Sequence, residues 1–245
     1  MKFEIGSCSR TGLVRNTNED AMLLRTADCG ALFLVADGIG GREHGEIVSS
    51  MLRDGYAKWW EQHFLPTSAR MTFPSAIEEI KNVLFRMNRE VVECYGEAAA
   101  GSTLALLFLF RGNCLYLSAG DSRIYLARRF SFRQVTVDDV VGNGNERAPL
   151  PVDSARGKLL GALGISAVPA FNIRTDELLK HDRFFICSDG VYRHLSPKVL
   201  SRRMLHRRQN PDRLITDFSQ EIERSGARDN YTMIYIQAKD VGGRF

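Results

Sequence analysis

The order of elements legible along the 245 residues predicts an α+β fold, sheets covered by helices, in one domain spanning 1–245. Two long segments with apolar residues three and four apart separate an early set of strand-like runs from a later one. Two further helical segments and a last apolar strand follow, and neither a long polar linker nor an internal repeat interrupts the series.

From Phe3 to Val35 short apolar runs alternate with turn residues, and Ala31–Ala36 reads as a strand that stops at the flexible turn Asp37-Gly38-Ile39-Gly40-Gly41. Glu46–Phe64 and Ser75–Tyr95 read as amphipathic helices; in the second, Ile77, Ile80, Val83, Leu84, Met87 and Val91 share one face. Pro66 and Pro74 bracket the loop between them, since proline does not continue a helix. Beyond Gly101 the period changes. Thr103–Phe110, Cys114–Ala119, Arg123–Ala127 and Phe132–Val137 are separated by short turns and predict an antiparallel meander. Asp138–Lys158, rich in Gly, Asn, Pro and charge, reads as a surface loop with at most one short helix. Strands resume at Ala170–Arg174 and Arg183–Cys187. Helices follow around Pro197–His206 and Pro211–Ser225, and the strand Tyr231–Gln237 comes last.

Composition bounds the function. With 44% hydrophobic and 25% charged residues the chain is an ordinary globular protein, which excludes disorder, collagen and coiled coil. The longest apolar run, Leu104–Phe110, is too short to cross a bilayer, and the first residues carry an acid and no sustained apolar stretch, unlike a secretory signal. A cytoplasmic protein without membrane association is therefore expected. Five widely spaced cysteines, an odd number without a Cys-x-x-Cys pair, predict buried thiols rather than a disulfide frame or a zinc site. A net charge of +4 gives no footprint for nucleic acid. Its one basic cluster, Arg202, Arg203, His206, Arg207 and Arg208, reads as a solvated helix face, with a docking patch as the alternative.

Four aspartates stand where an apolar strand meets a turn: Asp37, Asp121, Asp189 and Asp229. Each alone is a common turn former whose side chain bonds local backbone. Together, on strands that share a core, they reach a common rim, where like charges repel and need a cation. Oxygen ligands without His or Cys favour a hard ion, Mg²⁺ or Mn²⁺. Glu19 and Asp20 can join that rim, and Arg15 offers a planar fork of donors to an oxyanion; a charged surface turn is the other reading of this segment. Hard cations held by carboxylates beside an arginine suit phosphoryl chemistry.

Six motifs in order, Arg15-x-x-Asn18-Glu19-Asp20, Val35-Ala-Asp-Gly-Ile-Gly-Gly41, Gly101-Ser-Thr103, Ala119-Gly-Asp-Ser-Arg123, Cys187-Ser-Asp-Gly190 and Ala227-Arg-Asp-Asn230, resemble the metal-dependent serine/threonine phosphatases of the PP2C (PPM) family, bacterial branch. The likeness spans Arg15 to Ile236. It implies a four-layer α-β-β-α sandwich of two antiparallel sheets flanked by helix pairs, with two Mn²⁺ or Mg²⁺ ions at one edge and a weaker third site. It implies that Asp37 bridges both metals, that Gly38 supplies a backbone carbonyl to one, and that Asp189 and Asp229 serve the first metal. Glu19 would serve the second through its waters with Asp20 as neighbour, and Asp121 with Asp189 would hold the third. Arg15 matches the phosphate-binding arginine, Gly40 and Gly41 would let backbone approach the metals, and Ser102, Thr103 and Asn230 would brace the ligands.

The sequence departs from the family pattern twice. Where some members carry a histidine after the first Asp-Gly there is Ile39, so protonation of the leaving group falls to metal-bound water or another group, with His44 five positions further on the nearest histidine. The flap expected around 139–161 is short and begins Asp138-Asp139, where many relatives have Asp-His. The expected function is hydrolysis of phosphoserine and phosphothreonine in proteins by a water activated at the binuclear centre, with phosphoprotein substrates made by a bacterial Ser/Thr kinase, and a monomer as the default. A phosphatase-shaped binding or regulatory module is the alternative, as is cleavage of a phosphodiester or small phosphate ester by the same chemistry.

Overall fold

A computed structural model of the chain describes residues 1–39, 44–139, 161–206 and 210–241. Its strands are β1 (Lys2–Arg10), β2 (Asp20–Ala27), β3 (Gly30–Ile39), β4 (Gly101–Ser102), β5 (Leu104–Phe110), β6 (Asn113–Ala119), β7 (Arg123–Arg128), β8 (Ser131–Gln134), β9 (Asn172–Glu177), β10 (Arg183–Cys187) and β11 (Tyr231–Asp240). The helices are α1 (Gly45–Trp59), α2 (Leu65–Thr67), α3 (Phe73–Tyr95), α4 (Asp189–Tyr192), α5 (Pro197–Leu205) and α6 (Pro211–Arg224).

The central strands are apolar at nearly every position because both of their faces are covered. In β5 the even positions Leu104, Leu106, Phe108 and Phe110 pack with Leu52, Tyr56 and Trp59 of α1 and Ile80 and Leu84 of α3. Its odd positions Ala105, Leu107 and Leu109 point the other way, onto Phe184, Ile186, Ile234 and Ile236 of the second sheet. That second sheet turns Tyr125, Phe185, Met233 and Tyr235 outward onto Leu214, Phe218 and Ile222 of α6 and Leu200 and Met204 of α5. The period of two in each strand thus writes three apolar interfaces and four layers, α-β-β-α. Each large side chain buried in them contributes roughly 1.5–3 kcal/mol.

One sheet is ordered β1-β11-β10-β7-β8 and the other β2-β3-β5-β6-β9, with β4 alongside β3, and every recorded pairing is antiparallel. The meander expected from 103 to 137 is corrected here. β5 pairs β6 and β7 pairs β8, but β6 and β7 lie in different sheets. The turn Gly120-Asp121-Ser122 is a corner between layers, made at Gly120 with φ +89° and pinned by a 2.7 Å hydrogen bond between the Thr103 and Ser122 hydroxyls. A short connection sets neighbours in space, not necessarily neighbours in one sheet.

The first helix also departs from the expected continuous period. Trp60–Phe64 forms a π-helical turn that brings Trp60 and Phe64 into the core beside Trp59, and the chain stays helical through α2, where Pro66 occupies the first turn rather than the loop. α3 starts at a capping box in which Thr72 and Ser75 bond each other's backbone N–H, with Pro74 in its first turn. The five cysteines are free; Cys114 and Cys187 are buried as expected, whereas Cys94 is exposed on α3. Arg203 of the basic cluster pairs with Asp217 of α6, and Arg207 and Arg208 lie outside the described residues. Gly40, Gly41 and flap residues 140–160 are likewise outside them. Among the described residues no helix is long and apolar enough to cross a membrane.

Candidate metal centre

Antiparallel pairing delivers the acids to one edge. Asp20 opens β2 directly opposite Asp37 near the end of β3. β6 runs parallel to β3 across the intervening β5, so Asp121 just beyond β6 leaves the sheet on the same side. In the other sheet β10 ends at Cys187 opposite Met233 near the start of β11, placing Asp189 after one strand and Asp229 before the next. Sequence separation is large, yet Asp37 feels the charges of Asp20, Asp189, Asp121 and Asp229, Asp20 those of Asp189 and Asp229, and Asp189 those of Asp121 and Asp229.

The result is a rim of carboxylates whose charges are unfavourable. Asp37 keeps partial access to solvent, but surrounding protein and then Asp20, Asp189, Asp121 and Asp229 push its carboxyl well above the usual range. Burial is also the first cause for Asp20, raised to about 7 despite hydroxyl donors from Ser188 and Thr232, with Asp189 and Asp229 adding to it. Asp189 is raised to about 6 by burial and by Asp121 and Asp229, against the opposing charge of Arg193. Asp121 is raised by burial, and Tyr192 and Arg193 oppose the shift. Asp20 carries a further mark of a missing partner. Its Oδ2 accepts from Ser188 Oγ at 2.8 Å, while its buried Oδ1 has no hydrogen-bond partner among the described residues.

Around this rim, neutral groups fix the backbone. Thr103 Oγ1 accepts from the Asp37 N–H at 3.0 Å, and Ser102 Oγ donates to the Asp37 carbonyl at 3.0 Å. Asn230 Oδ1 accepts from Glu19 N–H at 2.9 Å while its amide donates to the carbonyls of Thr11 and Thr17, so one buried side chain ties the loop before β2 to the start of β11. The Glu19 carbonyl accepts from Gly38 N–H at 3.1 Å and from Ser49 Oγ at 2.6 Å. A Cβ on Gly38 would sit 2.4 Å from the backbone of Gly45, so the start of α1 approaches as closely as it does only because residue 38 is glycine.

Two arginines hold the outer acids. Arg15 Nε lies 2.9 Å from Asp229 Oδ1, and Arg193 reaches back one helical turn to Asp189 Oδ2 at 2.7 Å. Among the described residues no three acidic, histidine or cysteine side chains are closed around a single ion position. The donor set nevertheless fits hard divalent cations: it is oxygen only, buried, in excess of its counter-charges, and one oxygen is orphaned.

Asp20, Asp37, Asp121, Asp189 and Asp229 are thus brought together with Ser102, Thr103 and Asn230 beside them. Glu19 and Gly38 are joined to the same edge through backbone. His44 is the N-cap residue of α1, with its ring 4.7 Å from that of Tyr95. Asp138 is engaged by Arg123 and Asp139 by Asn172, so neither is idle. Sequence reasoning missed Ser188, which bonds Asp20, and the pair Tyr192 and Arg193. The signal for Arg193 was present as a cation four residues after Asp189 at the head of a helix.

The chain has counterparts among known proteins. The profile of the family described as Protein phosphatase 2C matches residues 7–229. The serine/threonine phosphatase stp of Listeria monocytogenes is 24% identical over 238 residues, covering 92% of each chain. The structure of PppA from Pseudomonas aeruginosa, described as a key regulatory component of T6SS, superposes with a TM-score of 0.79 at 26% identity over 97% of this chain and 98% of that one. PstP of Mycobacterium tuberculosis is 30% identical over 243 residues, 95% of this chain and 44% of that protein. The PstP catalytic domain in complex with two manganese ions superposes with a TM-score of 0.75 at 21% identity, covering 97% and 99% of the two chains. With that profile matched over residues 7–229, the chain belongs to the protein phosphatase 2C family.

Proposed function

We propose that this protein phosphatase removes phosphate from serine and threonine side chains of proteins by direct attack of water at a centre of two Mn²⁺ or Mg²⁺ ions. The observation that carries the reading is the rim itself: Asp20, Asp37, Asp121 and Asp189 are all raised by burial, three of them also by neighbouring acids of the rim, and among the described residues only Arg15 and Arg193 are paired with it. Folding tolerates such repulsion where a ligand relieves it. The manganese complex of PstP and the phosphatase activities named for stp and PstP support the same assignment.

Asp37 and the Gly38 carbonyl would help to hold the ions. Asp189 and Asp229 would serve the first, and Glu19, with Asp20 beside it, the second. Bound there, the ions would lower the pKa of a water and neutralise the phosphate. The protein's own part is positional. Thr103, Ser102 and Asn230 hold the backbone of the acids so that little reorganisation is needed. Arg15, half exposed at the rim, would exchange its bond to Asp229 for the phosphate of the substrate once the ions compensate that acid. Ile39 offers no proton, so the leaving alkoxide would take one from solvent within the site. The substrates would be products of a protein kinase acting on serine and threonine, met in the cytoplasm by a monomer.

The test is hydrolysis of phosphoserine, phosphothreonine and phosphotyrosine peptides with and without Mn²⁺ and EDTA. Turnover on the first two that EDTA abolishes and Mn²⁺ restores is expected; activity indifferent to EDTA, or confined to phosphotyrosine or to nucleic acid, sinks the reading.

A further inference from the structure

We propose that Arg193 is the built-in cation of the Asp121–Asp189 pair, its guanidinium taking the place where these two acids would otherwise require a metal ion. The inference rests on the two-metal reading of the same rim and adds that the site stops at two.

Two carboxylates that face each other across a rim need a positive charge between them. In this chain the charge is covalently attached. α4 is a single turn, and the Arg193 N–H bonds the Asp189 carbonyl at 3.0 Å, which folds the residue back over the acid. Its Nη2 then lies 2.7 Å from Asp189 Oδ2, and its charge acts on Asp121 as well. Asp121 is engaged from the other side. Its Oδ2 accepts from the Tyr192 hydroxyl at 3.0 Å, and the ring of Tyr192 carries the Arg123 guanidinium 3.5 Å from its centre. Arg123 is in turn locked to Asp138 by bonds of 3.1, 3.1 and 2.6 Å. Tyr192, the last residue of α4, and Arg193, its C-cap, therefore give the two acids a donor each. A divalent ion entering between them would have to expel a tethered guanidinium or bear its repulsion. Asp37, Asp20 and Glu19 form no ion pair among the described residues, and Asp20 accepts only from the hydroxyls of Ser188 and Thr232, so these acids remain open to metal.

The experiment counts bound Mn²⁺ on the full chain by equilibrium dialysis and by loss of the free-ion electron paramagnetic resonance signal. The wild type is expected to saturate at two ions, the number in the PstP complex. Arg193→Ala should take up one more, more weakly held, Arg193→Lys should stay with the wild type, and Asp121→Asn in the Arg193→Ala background should cancel the gain. The Arg193 side chain is 59% exposed, so its truncation opens no cavity, and a thermal melt checks each variant. A third ion on the wild type, or an unchanged count in Arg193→Ala, overturns the proposal. An unchanged count with a raised KM assigns Arg193 to the substrate phosphate instead. Absence of Mn²⁺ binding by the wild type overturns the two-metal reading itself, a result distinct from the others.

Discussion

At the scale of single residues, the acidic rim makes opposite demands on stability and on function. Asp20 illustrates the cost. Its carboxyl rises from 3.8 to about 7 on folding, so between those values the native state holds a proton that the unfolded chain has released. Stability contributed by that proton is present at low pH and lost as pH rises through about 7. The metal-free protein should therefore melt at a lower temperature at pH 8 than at pH 5.5, and Asp20→Asn should flatten the dependence; a melting point that climbs across this interval contradicts the account. Asp37→Asn and Asp189→Asn should each lower kcat/KM on a phosphothreonine peptide by about a thousandfold or more, roughly 4 kcal/mol of transition-state stabilisation, with circular dichroism unchanged. Wild-type turnover in either variant would remove the mechanism. Arg15→Ala should act chiefly on KM, because a grip on phosphate operates before the chemistry, and a loss confined to kcat would speak against that role.

Among the elements, the short helix α4 matters most, since after β10 it carries Asp189, with Asp189's partner Arg193 and Asp121's partner Tyr192 at its far end. Its close seating depends on Gly190, where a Cβ would come within 2.0 Å of the Asn230 carbonyl oxygen. Gly190→Ala is expected to force α4 and the start of β11 apart, at about 1–3 kcal/mol, and at ~2–4 °C of Tm for each kcal/mol in a chain of this size. Calorimetry on the metal-free protein reads this directly, and an unaltered Tm would mean that the two segments separate freely. The corner at Gly120 plays the same part for Asp121: a hairpin there would have kept that acid in the first sheet, away from Asp189 in the second.

On the scale of the whole molecule, the site exists because two sheets are clamped face to face. Leu107, fully buried between them, should cost about 2–5 kcal/mol as Leu107→Ala, measured as a shift of the denaturation midpoint; a neutral result would imply sheets that need no such contact. Periods of two and 3.6 written in the side chains made most strands and helices legible, β10 at Arg183–Cys187 to the residue, but not α2, α4 or the bounds of β1 and β2. The acids were legible too, as Asp-Gly and Asp-Asn turns at the ends of apolar runs, and the motif order identified their family. Partnership was settled by packing in three dimensions. Nothing local to Gly120 distinguishes a hairpin from a corner, nothing near Trp60 announces a π-helical turn, and Tyr192 and Arg193 look like ordinary helix residues until β7 and β10 bring Asp121 beside them. Local periodicity follows from the geometry of one segment, whereas the pairing of charges depends on surfaces that meet only when distant segments are packed together.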